Sequence, residues 1–293
     1  MRIVCAGLAT VDLVYRVDRI PGVDEKAEAT GAEIATGGPA TNAAVTASAL
    51  GAQVTLVTAV GAHPLGGLIR ADLAERGVRL LDAAPDAAVP PPVSAITVLN
   101  GTGQRTVVSR NAAGAAVGVP DGLDRILASA DAVLVDGHHP ALAAAAGRAG
   151  RPLVVDAGSW RPVFADVFPH ATVAACSAAF RHPAAPDFGE ATTAAAVLAA
   201  GARHVAFTHG PDPIAWWSPN GSGTVPVPPV DAMDTAGAGD VFHGALAVAV
   251  ARDPDVADLP GALAYAAAVA TIRVTHPGPR AWLTDPRLRT LRA

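Results

Sequence analysis

Short runs of apolar residues alternate along the chain with longer Ala- and Leu-rich segments of helical period. Strands buried on both faces of a sheet read as continuous apolar runs, whereas helices repeat apolar positions every three to four residues. The apolar runs predict strands at 3–6, 54–60, 132–135, 153–155, 172–175 and 204–208. The alternation predicts repeated βα units and an α/β fold with a doubly wound, mostly parallel sheet flanked by helices.

The helical segments have a recurrent end signal. Four predicted helices, each followed directly by a glycine, span 42–50, 65–76, 140–149 and 192–200. Glycine commonly follows the last turn of a helix because it adopts the left-handed conformation without steric cost. Two further helices are predicted near the end of the chain, at 240–251 and 261–271.

Two regions break this rhythm and predict antiparallel strands. Polar and apolar residues alternate over 94–110 around Asn100-Gly101, which is the turn chemistry of a β-hairpin. The segment 13–36 alternates in the same way. We therefore expect a single domain over 1–293 whose segments at about 13–36 and 93–112 form a small β-sheet lid.

Composition narrows the partners and the location. Hydrophobic residues make up 51% and charged residues 16% of the 293 positions, which excludes a disordered chain. Asp and Glu outnumber Lys and Arg by 26 to 21, so no basic excess is available to neutralise a nucleic acid. Cys5 and Cys176 form no CxxC pair, and no long stretch is free of charges and helix breakers. We expect a cytoplasmic protein with no nucleic-acid or membrane partner.

The segment 234–240, DTAGAGD, carries the clearest chemical signal. Its glycines make a turn that opens a helix, and the unpaired amide N–H groups of such a terminus hold an anion. A carboxylate beside an anion site, here Asp240, suits a base that deprotonates an alcohol. Together they indicate phosphoryl transfer. The alternative is that Asp240 only complements the helix dipole and that the glycines only make a tight turn.

Two motifs resemble those of the ribokinase-like (PfkB-type) carbohydrate kinases. DTAGAGD followed by VFHGAL resembles their C-terminal signature, and GGPATNAA at 37–44 is similar to their first motif. The order and spacing of the motifs match, and the resemblance covers nearly the whole chain. It implies a ribokinase-like fold with a β lid and an ATP-dependent carbohydrate kinase. The DVFHGAL form resembles the branch of the ketohexose and sulfofructose kinases.

The resemblance assigns roles residue by residue. Asp240 corresponds to the catalytic base that takes the proton of the sugar hydroxyl as it attacks the γ-phosphate of ATP. The implied anion hole comprises Gly237, Ala238 and Gly239. The implied sugar-binding residues are Asp12, Lys26, Gly38, Asn42 and Asn111, and the implied nucleotide-binding residues are Thr208, Gly210, Thr235, Gly237 and Gly239. His138 is a further candidate for substrate contact, because the carboxyl ends of strands line the ligand crevice of an open sheet.

Cofactor expectations follow from the resemblance and from its gaps. The segment 176–181 holds no carboxylate where relatives commonly carry an Asn-x-x-Glu motif, so Mg²⁺ would be held mainly by ATP and water. Asp234 and Ala236 match a monovalent-cation loop of some relatives, which makes K⁺ a candidate activator. Pro211 and Pro213 interrupt the nucleotide loop that begins at Thr208.

Two other functions are compatible with the sequence. A nucleoside kinase of the adenosine type shares the fold and the motifs. A catalytically weak sugar- or nucleotide-binding protein would account for the altered nucleotide loop and the missing acidic motif. We also expect a homodimer, because the edges of a small lid sheet can be covered by pairing with a second copy.

Overall fold

The computed structural model describes residues 1–112, 117–187 and 189–292, and these form two separate β-sheets. The strands are β1 (Arg2–Ala6), β2 (Thr10–Val17), β3 (Gly31–Gly37), β4 (Gln53–Thr58), β5 (Val78–Asp82), β6 (Val93–Leu99), β7 (Arg105–Ser109), β8 (Ala132–Val135), β9 (Leu153–Ala157), β10 (Val173–Ser177), β11 (His204–His209), β12 (Asp212–Ser218) and β13 (Gly221–Val225). The main sheet has nine strands in the order β13-β12-β11-β10-β9-β8-β1-β4-β5. Its pairings are parallel from β5 to β11 and antiparallel at β12 and β13.

Helices cover both faces of the main sheet. They are α1 (Pro39–Ala49), α2 (Pro64–Glu75), α3 (Leu123–Ala128), α4 (Pro140–Gly147), α5 (Phe164–Val167), α6 (Glu190–Ala199), α7 (Ala238–Arg252), α8 (Leu259–Val274) and α9 (Leu288–Leu291). Successive strand residues point to opposite faces, so Ile3 and Cys5 join the apolar core under α1, α7 and α8, and Val4 and Ala6 join the core under α3 to α6. Within the described residues, no helix is both long and apolar enough to span a bilayer.

The small sheet has four strands in the order β3-β2-β6-β7. The predicted hairpin is present as the antiparallel pair β6 and β7. The other predicted region is likewise an antiparallel pair, β2 with β3. The two pairs are joined in parallel, with Val11 of β2 opposite Val93 of β6, a direction that the sequence pattern did not predict. Between β3 and β6 the chain runs through the main sheet, so it re-enters the small sheet in the direction of β2. The mostly parallel main sheet and the separate small sheet are confirmed, whereas the lid role, the single-domain assignment and the homodimer stay predictions.

Several elements begin earlier than the sequence pattern predicts. The helices expected from 42 and 65 begin at Pro39 and Pro64, because proline fits the first helical turn, where its missing N–H would have no partner. Six helices and strands were not predicted at all, namely β5, α3, α5, α9 and the hairpin of β12 and β13. These are short, and their apolar residues show neither a long run nor a clear period.

Helices α1 and α7 approach each other closely near the site described below. A Cβ atom added at Gly244 of α7 would lie 2.5 Å from the carbonyl oxygen of Ala43 in α1. No side chain fits at that distance, so the absence of one at Gly244 lets the two backbones meet. The contact brings Asn42, next to Ala43, within reach of the first turn of α7.

We expect Gly244→Ala to destabilise the protein by about 1–3 kcal/mol, the usual cost of forcing an extra methyl group into a packed core. Gly67→Ala is the matched control, because Gly67 is an exposed residue of α2 whose added Cβ would meet nothing within 4 Å. The control should be neutral or slightly stabilising, since alanine is the better helix former. Thermal unfolding of both variants measures the difference, and equal melting temperatures would contradict the close-packing argument.

Candidate active site

A cavity of about 430 Å³ lies between the main sheet and the small sheet. Strands β9, β10 and β11 contribute Asp156, Ser177 and Thr208 at or near their carboxyl ends. This is the crevice in which open α/β sheets bind ligands. The small sheet covers it from the other side with residues that include Asp12 and Arg105. The topology therefore places polar side chains of both sheets around one enclosed space.

Asp240 lies in the first turn of α7 and lines this cavity. Gly237 precedes the helix with a φ of 73°, a left-handed conformation that favours glycine. The side-chain amide of Asn42 donates a hydrogen bond of 2.7 Å from Nδ2 to Asp240 Oδ2. One carboxylate oxygen is thus fixed by α1, and the carboxylate borders the cavity.

The surroundings of Asp240 adjust its acidity. Burial raises the pKa of Asp240 to about 6, and the nearby Asp156 carboxylate adds to the rise. The hydrogen bond from Asn42 and the positive charges of His243 and Arg105 act in the opposite direction. A carboxylate with a pKa near 6 is ionised at neutral pH yet basic enough to accept a proton from a reacting group.

The start of α7 also offers backbone donors. The first hydrogen bond inside the helix runs from Val241 N to the Gly237 carbonyl oxygen, and Ala238 N donates to Thr235. The first N–H groups of a helix have no acceptor within it, so the amides at Gly239 and Asp240 lack a helical partner. Together with the helix dipole they favour a bound anion. Of the three amides that the GAG motif predicts as an anion hole, that of Ala238 is thus already bonded, and the anion hole stays a prediction.

Asn42 is held by a second contact that sequence reasoning missed. Arg280 donates from Nη1 to Asn42 Oδ1 at 3.0 Å and from Nη2 to the Thr36 carbonyl oxygen at 2.9 Å. Its guanidinium also pairs with Asp72 of α2, with Nη2 2.9 Å from Oδ2. With its oxygen facing Arg280 and its nitrogen facing Asp240, the Asn42 amide has one orientation. A chain of contacts therefore runs from Asp72 to the carboxylate of Asp240.

Asp12 faces the cavity from β2. The Thr10 hydroxyl donates to Asp12 Oδ1 at 2.6 Å. Burial raises the pKa of Asp12, although hydrogen bonds from Thr10 and Ser94 and the charge of Arg280 partly offset the rise. A partly buried carboxylate with a free oxygen can accept hydrogen bonds from vicinal hydroxyl groups.

Two arginines of the small sheet reach the loop that precedes α7. Arg16 of β2 forms an ion pair of 3.3 Å with Asp234, and Arg105 of β7 donates a hydrogen bond of 3.1 Å to the Thr235 hydroxyl. The small sheet and the anion-binding loop are therefore bonded directly to each other.

Asp234 does not suit a monovalent-cation site. Its Oδ2 lies 3.3 Å from Arg16 Nη2 and 3.4 Å from Arg273 Nη2, and it accepts a bond from Gly278 N. Its Oδ1 accepts from Ala236 N at 2.9 Å. Two guanidinium groups and two amides thus occupy the carboxylate, and a further cation would have to displace an arginine. The residues present do not fit the K⁺ site suggested for Asp234 and Ala236.

The described residues also contain no group of three or more His, Cys, Asp or Glu side chains arranged to hold a metal ion.

Among the residues predicted to bind the nucleotide, Thr208 lines the cavity, whereas the loop after it lies outside the cavity lining. Gly210, with a φ of 65°, occupies the tight turn between β11 and β12, and Pro211 follows it. His209 bonds Glu190 through Nε2 and contacts the Pro213 carbonyl oxygen through Nδ1. Pro211 therefore stands in a hairpin turn and Pro213 in strand β12, rather than in a glycine-rich loop.

The structure brings most of the predicted site residues together. The cavity is lined by Asp12, Gly38, Asn42, Asn111, Thr208, Asp234, Ala236, Gly237, Gly239 and Asp240. Lys26 is exposed in the segment between β2 and β3, and the His138 ring contacts Arg161 instead of the cavity. Ala238, Gly210 and Thr235 are also outside the lining, although Thr235 borders a neighbouring cavity with Arg105.

Four lining or supporting residues were not among the predicted site residues. Asp156 lies near the carboxyl end of a buried strand, and His243 follows Asp240 by one helical turn. Their positions in the sequence could therefore have indicated a place at the site. Arg280 and Asp72 carried none, because they meet through the fold alone across 208 positions of sequence.

Comparison with known proteins agrees with this geometry. The chain is 29% identical to an ATP-dependent ribose-1-phosphate kinase of Halopiger xanaduensis, over 96% of this chain and 94% of the relative. It is 28% identical to a ribokinase of Bacillus subtilis, over 87% and 88% of the two chains. A ribokinase structure from Thermotoga maritima superposes with a TM-score of 0.83 at 21% identity, covering 99% of this chain and 98% of that one.

The ribokinase-like fold is thereby established, with both of its sheets. Residues 1–285 match the model of the pfkB family carbohydrate kinases. The match takes in both motifs, the cavity and the loop around Asp240. The chain belongs to the pfkB family of carbohydrate kinases.

Proposed function

We propose that this kinase transfers the γ-phosphoryl group of ATP to a hydroxyl group of a ribose-type sugar. The observation that carries the proposal is the position of Asp240, a carboxylate beside the N-terminal amides of α7 at the wall of the cavity between the two sheets. Two relatives that align over most of the chain support the sugar class, since they are named for ribose 1-phosphate and for ribose. The ketohexose branch stays a prediction.

In the proposed mechanism Asp240 accepts the proton of the sugar hydroxyl. The hydroxyl oxygen forms a bond to the γ-phosphorus while the bond to the β–γ bridging oxygen breaks, and ADP leaves. The amides at Gly237 and Gly239 would stabilise the charge that develops on the transferred group, and the amide of Ala238 could join them by exchanging its bond to Thr235. The proton on Asp240 returns to solvent when the product leaves. Mg²⁺ is proposed to enter with the phosphates of ATP, whose oxygens it prefers.

The sugar is proposed to bind on the small-sheet side of the cavity. Asp12, Asn42 and Asn111 offer a carboxylate and two amides to its hydroxyl groups. Gly38 also lines the cavity, and its missing side chain lets the backbone pack against the Leu8 carbonyl group. Thr208 is proposed to face the nucleotide. In this arrangement the small sheet acts as a lid that excludes water from the reacting groups.

Asp240→Asn tests the base. Asparagine keeps the shape of the side chain but cannot take a proton, so we expect kcat to fall by about 10²–10⁴-fold, the usual contribution of a general base. Asp231→Asn is the control, because Asp231 is exposed and outside the cavity lining. ADP release with ATP and a sugar measures both rates, and full turnover by Asp240→Asn would overturn the proposed mechanism.

The pH profile tests the same group without a mutation. Because burial raises the pKa of Asp240 to about 6, the carboxylate becomes protonated and inactive as the pH falls below that value. We expect kcat/KM to be constant near neutral pH and to fall about tenfold per pH unit below about pH 6. A profile that stays flat down to pH 4.5 would show that no such base is needed.

An acceptor panel tests the sugar class. With ATP and Mg²⁺, we expect the highest ADP release from ribose or ribose 1-phosphate, and less from fructose, a sulfonated sugar or adenosine. Asp240→Asn serves as the blank. A clear preference for adenosine would replace the proposal by a nucleoside kinase. ATP binding without turnover of any acceptor would favour a binding protein.

A further inference from the structure

His243 lies on α7 one turn after Asp240, and the proposed mechanism leaves it without a role. Its side chain is 6% exposed and lines the same cavity. Its Nδ1 lies 3.2 Å from Asp156 Oδ2. Positions i and i+3 share one face of a helix, so His243 and Asp240 point to the same side of α7.

Asp156 is the second member of this pair. It is the fourth residue of β9, so the end of the strand places its carboxylate at the cavity. It is only 8% exposed, and a carboxylate so buried is costly without a counter-charge. Among the described residues its ion-pair partner is His243. Asp156 also lies close enough to Asp240 to raise the pKa of that group.

His243 is therefore surrounded by acceptors. Burial alone would lower its pKa, but the Asp156 carboxylate, the charge of Asp240 and the Ala175 carbonyl oxygen outweigh it, so the pKa of His243 is raised. Protonation of the imidazole is thus favoured by two acidic neighbours, Asp156 and Asp240.

We propose that His243, held by Asp156, is a positioning residue for Asp240: its positive charge offsets Asp156 and keeps the Asp240 carboxylate free to accept the sugar proton. The inference rests on the proposed function, because it concerns the base named there. Without the imidazolium, two carboxylates would share one buried site, and one of them would hold a proton. Asp240 would then hold a proton at a higher pH than in the wild type, and a larger share of it would be inactive near neutral pH.

Other charged and polar groups surround the pair. Arg105 of β7, Arg273 of α8 and the Asn42 amide of α1 face Asp240. Asp156→Asn also removes one of the charges that act to raise the pKa of His138, in the loop after β8. The comparison of His243→Asn with the wild type leaves all of these groups in place and therefore reports on the imidazole.

The test compares the pH profiles of kcat/KM for the wild type, His243→Asn and the double variant His243→Asn/Asp156→Asn. Removing the imidazolium alone should move the acidic limb upward by about one pH unit, as expected for a carboxylate next to an uncompensated like charge. Removing both charges should return the limb to the wild-type position or below it, because the raising effect of Asp156 is removed as well.

His204→Asn is the matched control. His204 is also buried, at 8% exposure, but it is the first residue of β11. It therefore lies at the amino ends of the strands, opposite the carboxyl ends that line the cavity. We expect its limb to coincide with that of the wild type. The inference is overturned if His243→Asn lowers the rate equally at every pH, or if the single and double variants share one limb. Those outcomes differ from a failure of the proposed function, in which Asp240→Asn would stay active.

A second measurement covers a His243 variant that does not fold. In protein labelled with ¹⁵N-histidine, an imidazole that is doubly protonated at about pH 7.5 and becomes neutral in Asp156→Asn would support the pair, since an unperturbed histidine is mostly neutral there. If no doubly protonated imidazole responds to Asp156→Asn, His243 carries no charge to offset and the inference fails.

Discussion

The close approach of α1 and α7 is the contact on which the rest of the site depends. Gly244 lets the backbone of α7 meet that of α1 at Ala43, and the side chain next to Ala43 is Asn42. A side chain at position 244 would push the two helices apart and draw Asn42 away from Asp240. The 2.7 Å hydrogen bond between Asn42 and Asp240 is therefore favoured by packing between small residues.

Groups that lower the pKa of Asp240 are opposed by one that raises it. Arg105 and His243 lower it, as does Asn42, which Arg280 holds in place. Asp156 raises it. No single contact sets the basicity of Asp240. Such a balance leaves a carboxylate that is ionised at neutral pH and still able to take a proton, which is the condition for general base catalysis.

Sequence reasoning found what local chemistry encodes. The turn at 237–239 needs glycine and opens a helix, so the anion site and Asp240 could be located without a structure. The hairpin around Asn100-Gly101 was equally local. The parallel pairing of β2 and β6, the approach of α1 to α7 and the bond from Arg280 to Asp72 could not be found, because each joins segments that only the complete fold brings together. The side chains of His138 and Lys26 lie outside the cavity lining for a related reason, since a position at a strand end or in a loop does not fix where a side chain points.

The bonds from Arg16 to Asp234 and from Arg105 to Thr235 join the small sheet to the loop that begins α7. The small sheet cannot swing away from the body without breaking both. In the proposed lid motion, opening of the small sheet would also release Asp234 and Thr235 from their arginines, and closing would restore both contacts. The proposed phosphate site would then be complete only while the cavity is covered, which would work against the transfer of a phosphoryl group to water.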